Sequence, residues 1–118
     1  MATYQKTILS GSTDGKQIKI TGTNTAGGVT IHTASATSGV IDEIWLYCYN
    51  NDSSQATLSI EWGTAGSTDH TFITPIPSQS GRWVVVEGEI LQNGLIVKGF
   101  ASVANKLYVS GYVNRITN

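Results

Sequence analysis

Reactive side chains are few and scattered in this sequence. There are two histidines, His32 in "TIHTA" and His70 directly after Asp69, and one cysteine, Cys48. Catalysis by a nucleophile or an acid–base group needs an activated side chain beside a partner. Asp69 and His70 are neighbours in sequence, but on a strand successive side chains point to opposite faces, so adjacency makes no dyad. Each histidine reads as satisfied or solvated. Metal ligation needs His, Cys or carboxylate groups at compatible spacing, and one Cys with two distant His does not supply it. The acidic pairs are Asp42/Glu43 and Glu87/Glu89. Glu87 and Glu89 could share a strand face, and a retaining glycosidase holds two carboxylates about 5 Å apart. No cleft signal surrounds them. The glycine-bearing stretches "TAGG" and "GTAGST" open no helix, where a phosphate would be cradled. These residues predict a protein without enzymatic activity or cofactor.

The elements that would position any site are strands. No segment repeats apolar positions at helical spacing, whereas short alternating runs recur between turn residues. The predicted strands are Lys16–Thr21, Val29–Thr33, Asp42–Tyr49, Ala56–Trp62, His70–Ile76, Arg82–Ile90, Leu95–Ala101 and Lys106–Ile116. "NNDSSQ" reads as the turn of a hairpin onto the Ala56 strand. Asn93-Gly94 is a hairpin turn signal. The last two strands read as a pair around "SVAN". Pro75 and Pro77 place their strand at a sheet edge, and Gly88 suggests a bulge. Eight strands at this spacing predict a single-domain antiparallel β-sandwich of jelly-roll type. An immunoglobulin-like sandwich is the alternative, ranked second because its Cys–Trp–Cys pattern is missing. Residues 1–15 have little apolar content and read as an N-terminal arm or edge segment, with the sandwich domain spanning 16–118.

One strand is unusual. In "DEIWLYCYNND", Ile44, Leu46 and Cys48 share one face and Trp45, Tyr47 and Tyr49 the other. Both faces are apolar or aromatic. Tyr108 and Tyr112 also share a face, opposite Leu107, Val109 and Val113. If the two strands are neighbours, five rings form one surface. Each ring buries about 150–250 Å², and a soluble monomer seldom leaves an apolar patch beyond a few hundred Å² open. A cover is expected: the protein's own loops, another protein, or a sugar stacked on the rings. In Ala56–Trp62, "ATLSIEW" places Ala56, Leu58, Ile60 and Trp62 inward and Thr57, Ser59 and Glu61 outward.

Totals narrow the function class. Of 118 residues, 13% are charged and 40% hydrophobic, against a usual ~25% charged. Ser, Thr, Asn and Gly therefore cover much of the surface. Seven basic residues oppose eight acidic ones and form no cluster, which argues against nucleic acid as a partner. A single Cys excludes an intrachain disulfide, and on an apolar strand face it reads as a small buried hydrophobe. "MATYQKTILSG" has no secretory apolar region, and no apolar run approaches the ~20 residues of a membrane span. Synthesis and folding in a cytoplasm are expected, and "NDS" at Asn51–Ser53 reads as turn chemistry.

The stretches "STDGKQIKIT", "IDEIWLYCYNND…ATLSIEWG", "PSQSG" and "NGLIVKGFASVANKLYVSGYVNRI" resemble small virion structural proteins of tailed bacteriophages. The resemblance runs from about Gly11 to Ile116. Its most specific parts are "DEIWLY", "TLSIEWG" and "FASVAN…VSGYVNRI". It implies a capsid decoration, or cement, protein: non-enzymatic, frequently trimeric, bound to the major capsid protein or other virion proteins on the head surface. A neck-, tail- or fibre-associated part is the alternative, as is a carbohydrate-binding module. It carries over no functional residue. The contact residues proposed from the strand pattern are Trp45, Tyr47, Tyr49, Tyr108 and Tyr112.

Overall fold

The longest strands build the centre. Val40–Asn50 (β4) alternates without a break between buried and half-buried residues, and Ile44, Leu46 and Cys48 are completely buried. It pairs antiparallel with the equally long Leu107–Thr117 (β9) over its whole length. The computed structural model describes residues 2–64, 66 and 70–117.

Around this pair the first sheet takes the order β1-β9-β4-β7, with β1 at Thr3–Ile8 and β7 at Trp83–Leu91. The short β2, Ile18–Lys19, lies beside β9 beyond the end of β1. The second sheet takes the order β3-β8-β5-β6, formed by Val29–Thr33, Ile96–Ala101, Ala56–Gly63 and Thr71–Ile76. A 3-10 turn, Thr25–Gly27, precedes β3. The order β2-β9-β4-β7 over β3-β8-β5-β6 is the jelly-roll path, in which the chain keeps crossing between two facing sheets.

The all-β sandwich read from the sequence is thus the fold, with nine strands among the described residues where eight were counted. The added one is β1, in the segment read as an arm or edge. All six of its residues pair with β9, so it lies in the same sheet as the central strands. Three pairings differ from the sequence reading. The β4–β5, β7–β8 and β8–β9 connections each pass from one sheet to the other. Asn93 and Gly94 do adopt the positive φ of a tight turn, 61° and 70°, but that turn links two sheets. Among the described residues, β5 and β6 are the only consecutive strands that pair with each other. β6 is an edge strand, in keeping with Pro75 and the following Pro77.

The core lies between the sheets. Ile44, Leu46, Cys48, Val109 and Val113 come from the first sheet, and Ile31, Leu58, Ile60, Ile76 and Val97 from the second. Each such Leu, Ile or Val contributes on the order of 1.5–3 kcal/mol when fully buried. Burial pushes the Cys48 thiol up to about 12, so it stays protonated and inert. Among the described residues, no helix is long and apolar enough to cross a membrane.

Candidate functional site

The register between β4 and β9 gathers the five ring-bearing residues. Trp45 lies opposite Tyr112 and Tyr49 opposite Tyr108, while Tyr47 faces Ser110. Partners across an antiparallel ladder share a face, and the other face of both strands is the core. All five rings therefore lie on the outer face of the first sheet. β1 adds Tyr4, Lys6 and Ile8 through its pairing with Ile116, Asn114 and Tyr112. β7 adds Val84 and Ile90, opposite Tyr47 and Glu43.

These rings are not bare. Trp45, Tyr47, Tyr49, Tyr108 and Tyr112 are all half-buried. Trp45 and Tyr112 stack, with centroids 6.0 Å apart and planes 12° from parallel. The Lys6 ammonium sits 4.4 Å from the Tyr112 ring centre, a cation–π contact. The Trp45 indole N–H donates to Glu43 Oε1 at 3.0 Å, and Asn114 Nδ2 donates to the same oxygen at 3.0 Å. Those two donors, Asn114 first, hold the Glu43 carboxyl below its ordinary pKa. The cover expected over this flank is thus supplied in part by the protein itself. Ring stacking and polar neighbours already cover part of it. The residues left most open are at the margins: Tyr4 at 71%, Ile90 at 54% and Ile8 at 49% exposure. Beside the rings a shallow hollow of about 750 Å³ is lined by Tyr47, Tyr112, Ser110, Gln17, Lys16 and Arg82.

A second cluster lies inside the sandwich. His32 and Asp42 are fully buried. His32 Nε2 lies 2.8 Å from Asp42 Oδ2, and Arg115 donates to both Asp42 oxygens at 2.8 and 2.9 Å. The Ser35 N–H also donates to Asp42 at 3.2 Å. Burial alone would raise the Asp42 carboxyl. The hydrogen bonds from Arg115 and His32, with the Arg115 charge and the Ser35 N–H, outweigh it and leave its pKa lowered. Arg115 is raised in turn, chiefly by its bond to Asp42. His32 Nδ1 accepts from the Ser10 N–H at 3.0 Å. Both ring nitrogens are then committed, one to a carboxylate and one to a backbone donor, so none is left to take a proton from Ser10 Oγ, which itself accepts from the Thr33 N–H at 2.7 Å. The arrangement joins the two sheets at their rim, with His32 from one and Asp42 and Arg115 from the other.

His32 read as satisfied or solvated, and plain strand alternation would put it on the face opposite Ile31. A register shift between Thr30 and His32 turns Ile31 and His32 both inward, and both are fully buried. Asp42 carried a signal that was passed over: it has the same period as Ile44, Leu46 and Cys48, so it had to face the core and needed a cation. Arg115, in phase with Val113 and Val109, supplies it. Glu61 was expected to face solvent. It does lie on the outer face of the second sheet, yet it is 1% exposed. Its Oε2 accepts from the Gly66 N–H at 2.6 Å, and its Oε1 has no hydrogen-bond partner among the described residues. Asp69 lies outside the described residues. Among those residues, no group of three or more His, Cys, Asp or Glu could hold a metal.

The chain is thus a jelly-roll sandwich distinguished by an aromatic outer sheet face. No protein-family model, curated protein or solved structure matches it.

Proposed function

We propose that this protein is a non-enzymatic structural component of a tailed-phage virion, a decoration or cement protein that binds the head lattice through protein–protein contacts. The observation that carries the reading is the outer face of the first sheet. Trp45, Tyr47, Tyr49, Tyr108 and Tyr112 lie there on two neighbouring central strands, bordered by exposed Tyr4, Ile8 and Ile90. Aromatic residues with few charges are what protein interfaces concentrate at their centres. The molecule measures 48 × 28 × 21 Å. Its broad side, 48 by 28 Å, outlines about 1,300 Å², enough for the ~800 Å² per partner of a standard interface.

In this reading the partner is the major capsid protein or another virion protein, and the protein acts as a homo-oligomer, a trimer being favoured. Binding the assembled lattice in preference to free subunits shifts assembly by mass action, and many bound copies add avidity. The test is to image virions made with and without this chain. Density on the head lattice that disappears without the chain supports the reading. Density at the neck or tail moves the protein to another part of the virion, and no density anywhere overturns the virion role.

A further inference from the structure

The sandwich is open along one side. β6 and β7 are the edge strands of their sheets, and between them runs a hollow of about 680 Å³ lined by Trp62, Phe72, Val85, Val86, Glu87 and Glu89, among others. Trp62 pairs with the buried Val97 and Phe72 with the buried Ile60, so both rings point toward the space between the sheets. Phe72 is nonetheless 36% exposed and Trp62 only half-buried. The two rings meet at 6.4 Å, tilted by 48°. From the other wall, Glu89 pairs with the buried Ile44 and so also lies on the inward side. Glu87 and Glu89 are exposed, and neither has an ion-pair or hydrogen-bond partner among the described residues.

Two inward-facing rings and two unpaired carboxylates thus share one groove between open strand edges. We propose that this groove docks an extended peptide segment bearing arginine. The guanidinium would lie over the ring of Trp62 or Phe72 and be held by Glu87 or Glu89 in a charge-assisted, bidentate bond. The outer edge of β7 offers backbone groups to an added strand. The charge of the groove selects the occupant: an acidic or neutral segment would leave both carboxylates unmatched. An inward-pointing charge on an edge strand can also serve merely to block edge-to-edge association, and the experiment separates the two roles.

The probe is a short synthetic peptide alternating arginine with threonine or valine, fluorescein-labelled, with binding read by anisotropy. The expected result is saturable binding that weakens with salt, and a loss of roughly tenfold or more in the double variant Glu87→Gln/Glu89→Gln, since charge-assisted pairing is removed. Phe72→Ala should also weaken binding. Asp14→Asn, which removes a carboxylate elsewhere on the surface, should leave it unchanged. All four positions are exposed, so these variants are expected to fold, and circular dichroism verifies it. Unchanged affinity in the double variant overturns the proposal, as does equal binding of a peptide with glutamate in place of arginine. If the double variant gains self-association while probe binding is unchanged, the carboxylates only guard the edge. Glu87 pairs with Trp45 across the ladder and borders the aromatic face as well, so the single variant Glu89→Gln, on the inward side, is the one whose virion binding tests the other reading independently.

Discussion

Asp42 shows how one buried charge sets a pH limit on a neutral-looking protein. Its folded pKa is lowered relative to the free side chain. Its contribution to stability is therefore complete above the unfolded value, about pH 4, and is lost as pH falls through the lower folded value. Urea unfolding followed by tryptophan fluorescence should show a midpoint that drops below about pH 4, and Asp42→Asn should flatten that drop. At neutral pH, Asp42→Ala should cost about 3 kcal/mol, the low end for breaking a buried pair, because Arg115 reaches solvent while His32 does not. Glu61 is the opposite case. One of its oxygens is buried without a partner among the described residues, which costs on the order of 1–3 kcal/mol. Glu61→Gln keeps an acceptor for the Gly66 N–H and removes the buried charge. It should raise stability by about 1 kcal/mol, read as a higher urea midpoint; a lower midpoint would mean that the charge itself is needed there.

At the scale of the strands, two glycines fix how the aromatic face is built. Gly88 has φ of 75°, and a Cβ there would come 2.9 Å from Trp45 Cζ2. The glycine lets β7 bulge beneath the indole, where the β4–β7 register shifts between Ile44 and Trp45. Gly88→Val should displace the Trp45 ring and weaken its stack on Tyr112, seen as a reduced near-ultraviolet dichroism signal, with a loss of about 2 kcal/mol from backbone strain. Gly111 pairs with Leu46, and a Cβ there would approach the Trp45 carbonyl oxygen at 1.9 Å. That neighbour is backbone and cannot rotate away, so Gly111→Ala should prevent folding in a solubility assay. The Gly88 bulge was legible in the sequence because glycine inside an alternating strand has few other uses. So was most of β4, read as Asp42–Tyr49 within the observed Val40–Asn50, since a run of β-branched and aromatic residues leading into a turn reads as a strand. The pairing of strands was not legible. Turn chemistry at Asn93-Gly94 reports a tight local bend, and nothing local distinguishes a bend within one sheet from one that crosses to the next. The burial of Glu61 was hidden for a related reason: strand period assigns a face, but cover by other segments of the chain depends on topology.

On the scale of the whole molecule, the two proposed contact surfaces should answer differently to salt. The chain carries a formal net charge of −1, and the aromatic face mixes Lys6 with Glu43 among uncharged rings. Docking there rests on apolar area, which ordinary salt does not screen, whereas an arginine in the β6–β7 groove is held by exposed charges that it does screen. If the outer face docks on a virion, that binding should therefore persist between low and high salt. The margins of the face give the cleanest substitutions. Trp45 and Tyr112 support each other and the fold, so removing them confounds stability with binding. Tyr4 and Ile8 are exposed on an edge strand, and Tyr4→Asp/Ile8→Asp should leave the urea midpoint within about 0.5 kcal/mol of the parent, as surface substitutions do. If the outer face docks on the virion, the same double variant should lose particle binding in co-sedimentation, because two carboxylates would then be buried unpaired. Full retention of particle binding would move the interface off this face, while virion binding that vanishes with salt would place it among the charged surfaces instead.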